Sequence, residues 1–205
     1  MTDHIEGELS TAGRRLGGAG ADARRRLRER AEAEGLLDVA YTTVDSPLGR
    51  LLAASTPRGV VRLAYDADAG TDDVLGDLAA RVSPRILEAP ARLDPLRREL
   101  EEYFTGRRTA FEVPVDWSVM HGFGRRVLEH TAQLRFGEVA TYREMAARAG
   151  SPAAIRAAGN ALAANRVPIV VPCHRVLRTG GGLGGYTGGL GRKEFLLRLE
   201  GALAP

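Results

Sequence analysis

The chain of 205 residues contains one cysteine, and the residues around it are of types that could do chemistry. Cys173 lies in the segment VVPCHRV, with a proline before it and a His-Arg pair after it. A lone cysteine can be a buried structural residue, since free Cys is among the most buried residue types. A cysteine beside histidine and arginine can instead form a thiolate and act as a nucleophile. The segment alone leaves both interpretations open.

The composition argues against several other kinds of site. One cysteine cannot form an intramolecular disulfide or a CxxC metal clip, which fits a reducing compartment. The four histidines are scattered, so we expect no metal site, and no cofactor is predicted. No apolar run reaches the length of a membrane-spanning helix, and the polar N-terminus does not resemble a signal peptide. We therefore expect a cytoplasmic protein with no membrane partner.

Positive charge is concentrated in the second half of the chain. The whole sequence has 29 basic and 26 acidic residues. From Ser118 to the end, 12 Arg and Lys stand against 5 Asp and Glu, a net of +7, which leaves −4 for residues 1–117. Such an excess is typical of a protein that binds a polyanion, and it is also found on ordinary solvated surfaces.

The first half of the chain predicts an N-terminal extension followed by a small domain of strands and helices. The extension is rich in Gly, Ala and Arg, with a helix expected over 21–35. Three runs separated by Gly/Pro turns then predict an antiparallel meander, at 39–45, 50–56 and 60–66. Amphipathic helices are expected over 71–82 and 94–106, before an extended linker at 111–118. We place the domain boundaries at 1–36, 37–117 and 118–205.

The second half predicts helices punctuated by glycine. Their expected bounds are 122–137, 141–150, 151–165 and 192–202. Thr141 and Glu144 have the spacing of a capping box, and Ser151 is the expected N-cap of the next helix. The two short helices joined by Gly150 predict a helix-turn-helix, a motif as consistent with ordinary packing as with DNA binding. A short buried strand is expected over 167–176, followed by a glycine-rich loop over 177–191.

Three segments resemble the O6-alkylguanine-DNA alkyltransferases, which repair DNA by moving an alkyl group irreversibly onto their own cysteine. The segments are GEVATYREMA, AAIRAAGNALAANRVPIVVPCHRV and GGYTGGLGRKEFLLRLE. The similarity is strong from about Gly122 to Gly201 and holds only in outline over 38–118. It implies an α+β fold, with a small antiparallel β-sheet and helices first. A helical, winged-helix-like domain that carries the helix-turn-helix would follow.

The resemblance assigns catalytic roles to five residues. Cys173 would be the nucleophile, His174 the base that activates it through a water molecule, and Glu200 the carboxylate that orients the histidine. Tyr142 would give a proton to the leaving guanine, and Asn165 would brace the active-site segment. The chemistry is reasonable because an O-alkyl group is an electrophile that suits a soft thiolate.

The resemblance also implies that the target base is flipped out of double-stranded DNA. Arg156 would fill the gap in the base stack, and small residues of the second helix would permit close approach to the minor groove. The other residues expected at the DNA are Thr141, Tyr142, Ala153, Ala154, Ala157, Ala158, Gly159 and Arg175. The base pocket would be lined by Val170, Val171, Tyr186, Thr187, Gly188 and Gly189. The implied partner is duplex DNA containing O6-alkylguanine, bound by a monomer that could cluster cooperatively.

Two departures and two alternatives remain at this point. Arg166 stands where the family commonly has a proline, and the zinc-binding cysteines of some relatives are absent. One alternative is an alkyltransferase-like lesion sensor without enzymatic activity, but such proteins lack the cysteine. The other is a helix-turn-helix regulator in which Cys173 only senses alkylation or oxidation, and it would prefer an operator sequence. Cys173 together with His174 and Glu200 favours the single-turnover suicide alkyltransferase.

Overall fold

The computed structural model describes residues 37–65, 68 and 70–203, together with Arg26 and Arg30. The helix expected over 21–35 lies outside the described residues except at those two arginines, which are helical. Residues 39–205 form one unit. Its elements are β1 (Val39–Val44), β2 (Leu51–Thr56), β3 (Gly59–Tyr65), α1 (Thr71–Arg81), β4 (Ile86–Glu88), α2 (Asp94–Phe104), α3 (Gly122–Ala132), β5 (Ala140–Thr141), α4 (Tyr142–Arg148), α5 (Ile155–Ala163), β6 (Val176–Leu177) and α6 (Leu190–Leu199).

The first four strands form one sheet in the order β3-β2-β1-β4. The β1–β2 and β2–β3 pairs are antiparallel, as the meander predicted. The sheet is nevertheless mixed, because β4 pairs with β1 in parallel. This three-residue strand follows Pro84 and is too short to show an alternating pattern in the sequence. The α+β fold class is confirmed, with this correction to the sheet.

Side chains on the two faces of the sheet enter two different apolar clusters. On one face, Leu52 and Ala54 of β2 pack with Val74 and Leu78 of α1. The alternate residues of β2 face α2 and the second half of the chain, where the larger cluster extends to Cys173. Because successive strand residues point to opposite faces, β2 is buried along its whole length. The sheet is therefore packed directly against the part of the chain that carries Cys173.

Three sequence predictions in the second half need correction. Helix α3 ends at Ala132, five residues before the expected end at 137. Helix α5 begins at Ile155, because Ser151 to Ala154 form a turn in which the Ala154 amide donates to the Ser151 carbonyl. No strand covers residues 167–175 of this described segment, which hold a turn and the 3-10 helix Cys173–Arg175; only Val176 belongs to a strand, β6. No helix in the described part of the chain is both long and apolar enough to cross a membrane.

Candidate active site

Helix α4 is fixed at its first turn, where the predicted capping box is confirmed. The Glu144 amide donates to the Thr141 hydroxyl over 3.2 Å, and the Glu144 carboxylate accepts from the Thr141 amide over 2.5 Å. Strand β5, which leads into this helix, pairs with β6, with Thr141 opposite Leu177. These two pairings hold Tyr142 beside the segment that contains Cys173.

Cys173 begins a 3-10 turn and is only 5% exposed. The side-chain amide of Asn165 donates to Sγ of Cys173 over 3.1 Å and to the carbonyl of Val171 over 2.8 Å. The Asn165 carbonyl oxygen in turn accepts from the amide of Val167 over 3.0 Å. Burial raises the pKa of the Cys173 thiol to about 11, against the opposing effects of Asn165 and Lys193. The resting thiol is therefore protonated and needs a base before it can attack.

The neighbouring His174 is completely buried and bonds to Glu200. Its Nε2 lies 2.9 Å from Oε1 of Glu200. Burial alone would raise the pKa of Glu200, but the bonds from His174 and Arg175 hold it at about 2. Burial lowers the pKa of His174, although Glu200 opposes that effect. A neutral imidazole facing an ionised carboxylate must donate through Nε2, so Nδ1 keeps the lone pair.

Nδ1 of His174 is buried and has no hydrogen-bond partner among the described residues. A buried polar atom without a partner is costly, and such atoms are found at catalytic positions. The histidine thus presents a buried, unprotonated nitrogen that can accept a proton. This is the geometry of a general base held by a carboxylate.

Glu200 binds more groups than the sequence suggested. Arg175 donates to both of its carboxylate oxygens over 2.8 Å, and the Tyr103 hydroxyl donates to Oε1 over 2.6 Å. The Gly137 amide adds a longer bond of 3.3 Å. Burial and the adjacent carboxylate raise the pKa of Tyr103, so it remains a donor. Glu200 is therefore fixed from several directions, and it fixes His174 in turn.

The prediction that Arg175 contacts DNA does not fit its position. Its side chain is only 6% exposed, and besides Glu200 it binds the carbonyl of Leu134 over 2.5 Å. The alternation expected of a strand would have pointed Cys173 and Arg175 in the same direction. The 3-10 turn instead directs Arg175 into the core beside His174.

Cys173 opens onto a cavity of about 490 Å³. Its walls are formed by Tyr142, Gly159, Leu162, Ala163, Gly185, Tyr186 and Thr187. The Tyr142 hydroxyl donates to the Gly185 carbonyl over 3.3 Å, and the Thr187 hydroxyl donates to the Ala163 carbonyl over 2.7 Å. Two aromatic rings and several small residues give a space suited to a flat ring. We call it the reaction pocket.

The glycine-rich loop that forms one side of the reaction pocket is tied down by Lys193. This lysine is fully buried, and its ammonium group donates to the carbonyl of Val176 over 2.6 Å and to the carbonyl of Leu183. Burial lowers its pKa to about 8. One side chain thus joins the loop to the strand that follows Cys173.

The turn before Cys173 contains a strained residue. Ile169 has a φ of 74°, in the left-handed region that β-branched residues rarely adopt. Its side chain is completely buried, and packing holds it in this conformation. Its position four residues before Cys173 fits the tendency of backbone strain to occur near functional sites.

The other residues predicted for the site fall into two groups. On the helix-turn-helix, Arg156, Ala153 and Ala157 are exposed, Ala154, Gly159 and Thr141 are half-buried, and Ala158 is buried. Of the pocket residues, Tyr186 and Thr187 lie on its wall. The others lie apart from it: Val170 lines another cavity, the Val171 carbonyl is bonded to Asn165, Gly188 packs on Tyr65, and Gly189 is the N-cap of α6.

Sequence reasoning missed several residues that the fold brings to the site. Leu162 and Ala163 follow Gly159 on α5 by one turn, so helical spacing could have identified them. Tyr103 and Tyr65 come from distant parts of the chain, and no local pattern points to them. Within the described residues, no group of three His, Cys, Asp or Glu side chains could hold a metal ion.

Comparison with known proteins finds matches over most of the chain. A family model described as "6-O-methylguanine DNA methyltransferase, DNA binding domain" matches residues 122–202, and its "ribonuclease-like domain" counterpart matches residues 39–117. The constitutive methylated-DNA–protein-cysteine methyltransferase of Bacillus subtilis is 34% identical over 78% of this chain and 94% of its own length. The human protein of that name is 38% identical over 78% of this chain and 79% of its own.

The chain belongs to the methylated-DNA–protein-cysteine methyltransferase family. A crystal structure of the Mycobacterium tuberculosis O6-methylguanine methyltransferase has a TM-score of 0.68 and 34% identity, covering 82% of this chain and 95% of its own. The Mycobacterium tuberculosis protein OGT in complex with DNA has the same TM-score and identity. The resemblance found in the sequence is thereby confirmed for the methyltransferase family.

Arg166 stands where the family resemblance led us to expect a proline. Its guanidinium binds Asp77 of α1 over 2.6 Å, and its carbonyl accepts from the Leu63 amide of β3 over 2.8 Å. The turn after Asn165 is therefore held by contacts to the N-terminal sheet and helix. These contacts restrain the turn after Asn165, as the ring of a proline at position 166 would.

Proposed function

We propose that this protein repairs DNA by transferring an alkyl group from O6 of guanine to Sγ of Cys173, once per molecule. The observation that carries the proposal is the set Asn165, Cys173, His174 and Glu200, in which Cys173 opens onto a pocket of about 490 Å³. A nucleophile, a base and a carboxylate that orients the base are the parts that thiol activation requires.

The reaction begins with removal of the thiol proton. Because the pKa of Cys173 is raised to about 11, the thiolate is scarce until His174 accepts the proton at Nδ1. A water molecule would carry the proton between them, as in the family. The buried Glu200 carboxylate then stabilises the imidazolium that forms.

The transfer itself is a displacement at carbon. A bond forms between Sγ and the alkyl carbon while the bond from that carbon to O6 breaks, and its electron pair goes to the guanine. Tyr142 lines the pocket, and burial raises the pKa of its hydroxyl, so it carries a proton to give to the leaving base. The product is an unmodified guanine and a thioether at Cys173. A thioether has no acidic proton, so the protein cannot act again.

The lesion must leave the DNA duplex to reach a cysteine that is 5% exposed. The exposed Arg156 and the small residues of α5 are the groups we assign to the minor groove and to the vacated stack. We infer a monomer that works on DNA in the cytoplasm, at the nucleoid. O6-alkylguanine is the lesion class that fits the family.

The test is the mass of the intact protein after incubation with a duplex that contains one O6-methylguanine. Wild type should gain the mass of a single methyl group, and Cys173→Ser should gain none. Peptide mapping should place the methyl on Cys173. A wild type that binds this duplex without any change in mass would reject the enzyme and leave the lesion sensor. A preference for one undamaged sequence would instead favour the regulator.

A further inference from the structure

A second cavity, of about 510 Å³, shares the residues Ala163 and Thr187 with the reaction pocket. Four arginines line it: Arg62 of β3, Arg81 of α1, Arg125 of α3, and Arg166. We call it the arginine cavity. It is built by both halves of the chain, and none of the described residues that line it is an acid.

The arginines are only partly neutralised by their neighbours. Asp77 binds both Arg81 and Arg166 over 2.6 Å, and Glu129 binds Arg125 over 2.8 Å. Four cations and two carboxylates leave a formal excess of two positive charges around the cavity. The first turn of α3 also lines the cavity, and the free amides of a helix start add partial positive charge.

Arg62 is the least satisfied of the four. Its Nε is buried and has no hydrogen-bond partner among the described residues. Burial lowers the pKa of Arg62, and the positive charge of Arg166 lowers it further, although Asp77 opposes this. Placing a partly desolvated guanidinium beside another cation costs stability unless a ligand supplies negative charge.

The position of the cavity indicates which anion would fill it. A strand whose base occupies the reaction pocket must continue past the pocket wall, and Ala163 and Thr187 belong to the walls of both cavities. Guanidinium groups match the geometry of phosphate oxygens and bind them through paired hydrogen bonds. The anion closest to the reaction pocket during repair is the DNA backbone itself.

We propose that the arginine cavity binds a backbone phosphate of the DNA strand whose nucleotide is in the reaction pocket. This inference rests on the proposed function and adds to it a DNA contact made by the N-terminal sheet, through Arg62. The buried Nε of Arg62, which has no hydrogen-bond partner among the described residues, would then gain an acceptor in the complex. Binding of DNA would offset the free-energy cost of holding the partly buried Arg62 beside Arg166 in the free protein.

The first experiment uses proteins that carry Cys173→Ser and cannot react, and it measures their affinity for a duplex with one O6-methylguanine at several salt concentrations. Each phosphate contact contributes about 0.9 to the slope of log affinity against log salt. Arg62→Gln should lower that slope by about this amount and weaken binding severalfold at low salt. Arg62→Lys should keep the slope, and Asp77→Asn should tighten binding because it removes a competing carboxylate. Arg98→Gln, at an exposed arginine of α2, is the matched control and should change nothing.

Two further measurements separate this proposal from its alternatives. Arg62→Gln should keep the thermal midpoint of the free protein at or above that of wild type, whereas a structural arginine would lower it. Inorganic phosphate should raise the midpoint of wild type and not that of Arg62→Gln.

A wild-type salt slope in Arg62→Gln would overturn the DNA contact, and stabilisation by phosphate in that case would indicate a site for free phosphate instead. Failure of wild type to gain a methyl group would reject the proposed function and not the cavity, because the phosphate measurement needs no DNA. Absence of any phosphate effect together with an unchanged slope would reject an anion site altogether.

Discussion

Tyr65, the last residue of β3, and Tyr186, in the glycine-rich loop, share a hydrogen bond of 2.9 Å between their phenol oxygens. Their rings meet edge to face with centroids 6.5 Å apart. The guanidinium of Arg192 lies over the Tyr65 ring, 4.1 Å from its centre. Since Tyr186 forms a wall of the reaction pocket, the N-terminal sheet helps to set the width of the space in which the alkyl group lies.

Replacing Tyr65 with Phe should alter selectivity more than stability. The Tyr186 hydroxyl would lose its partner, and one hydrogen bond is worth about 1 kcal/mol, or about fivefold in rate. We expect methyl transfer to slow by roughly this factor, while the rate with O6-benzylguanine relative to O6-methylguanine rises because the wall is freer to move. Single-turnover rates with both substrates measure the ratio. Tyr41→Phe, on the other face of the same sheet, should leave it unchanged, and an unchanged ratio in Tyr65→Phe would contradict the role assigned here.

Gly188 allows Tyr65 to approach the loop. A Cβ atom at this position would lie 2.4 Å from a Tyr65 ring carbon and 2.9 Å from a Tyr186 ring carbon. Gly188→Ala should therefore displace both rings, lower the free energy of unfolding by about 1–3 kcal/mol and slow transfer. Chemical denaturation and single-turnover rates check both effects. Gly191→Ala, in α6 with open space around it, should show neither, and a fully active Gly188→Ala would mean that the loop moves freely.

Asn165→Asp tests the bond to the sulfur. The substitution keeps the size of the side chain but removes the amide donor to Sγ and adds a negative charge beside it. Both changes disfavour the thiolate, so transfer should fall by about 100-fold or more at neutral pH, the equivalent of about 3 kcal/mol. The rate should recover partly as the pH rises. Because the measurement is made at saturating DNA, weaker binding cannot account for the loss, and a rate within threefold of wild type would exclude this bond from thiol activation.

Glu200 should make the stability depend on pH in the acid range. Its folded pKa of about 2 lies below its ordinary value of 4.5. Its contribution is therefore fully present above about pH 4.5 and is lost as the pH falls towards 2, and a shift of this size corresponds to about 3 kcal/mol. Glu200→Gln should be destabilised by several kcal/mol at pH 7, because Arg175 would be left buried without its counter-charge, and this difference from wild type should shrink at pH 3. Glu194→Gln, in the helix that ends just before Glu200, is the control. If Glu200→Gln were destabilised equally at pH 7 and pH 3, the lowered pKa of Glu200 would be contradicted.

Features that depend on residues close together in the sequence were predicted correctly. Contacts between distant elements could not be predicted. The capping box of Thr141 and Glu144 depends on residues three apart, so it could be read directly. The prediction of a strand before Cys173 was wrong. The segment is apolar, as strands often are, but it turns at Pro168, Pro172 and the left-handed Ile169. Periodicity measures composition along the chain and not the backbone angles of one residue.

In the candidate site, too, some residues could be found from the sequence and others depend on how distant elements pack. The sequence resemblance led to Cys173, His174 and Glu200, which the structure brings together. It gave no indication of Tyr103, which binds the same carboxylate from α2, or of the burial of Arg175. Those two features depend on how the sheet and its helices pack against the second half of the chain, and no local spacing encodes that packing.

The bond from Tyr103 to Glu200 has a consequence for the unfolding of the protein. The donor lies in the region matched by one family model, and the acceptor lies in the region matched by the other. The Glu200 carboxylate, which binds His174, therefore accepts a hydrogen bond from Tyr103 that residues 122–202 expressed alone would lack. The two halves gain by remaining folded together, and heat should melt residues 39–203 in a single cooperative transition, with loss of repair activity and loss of the sheet at the same temperature.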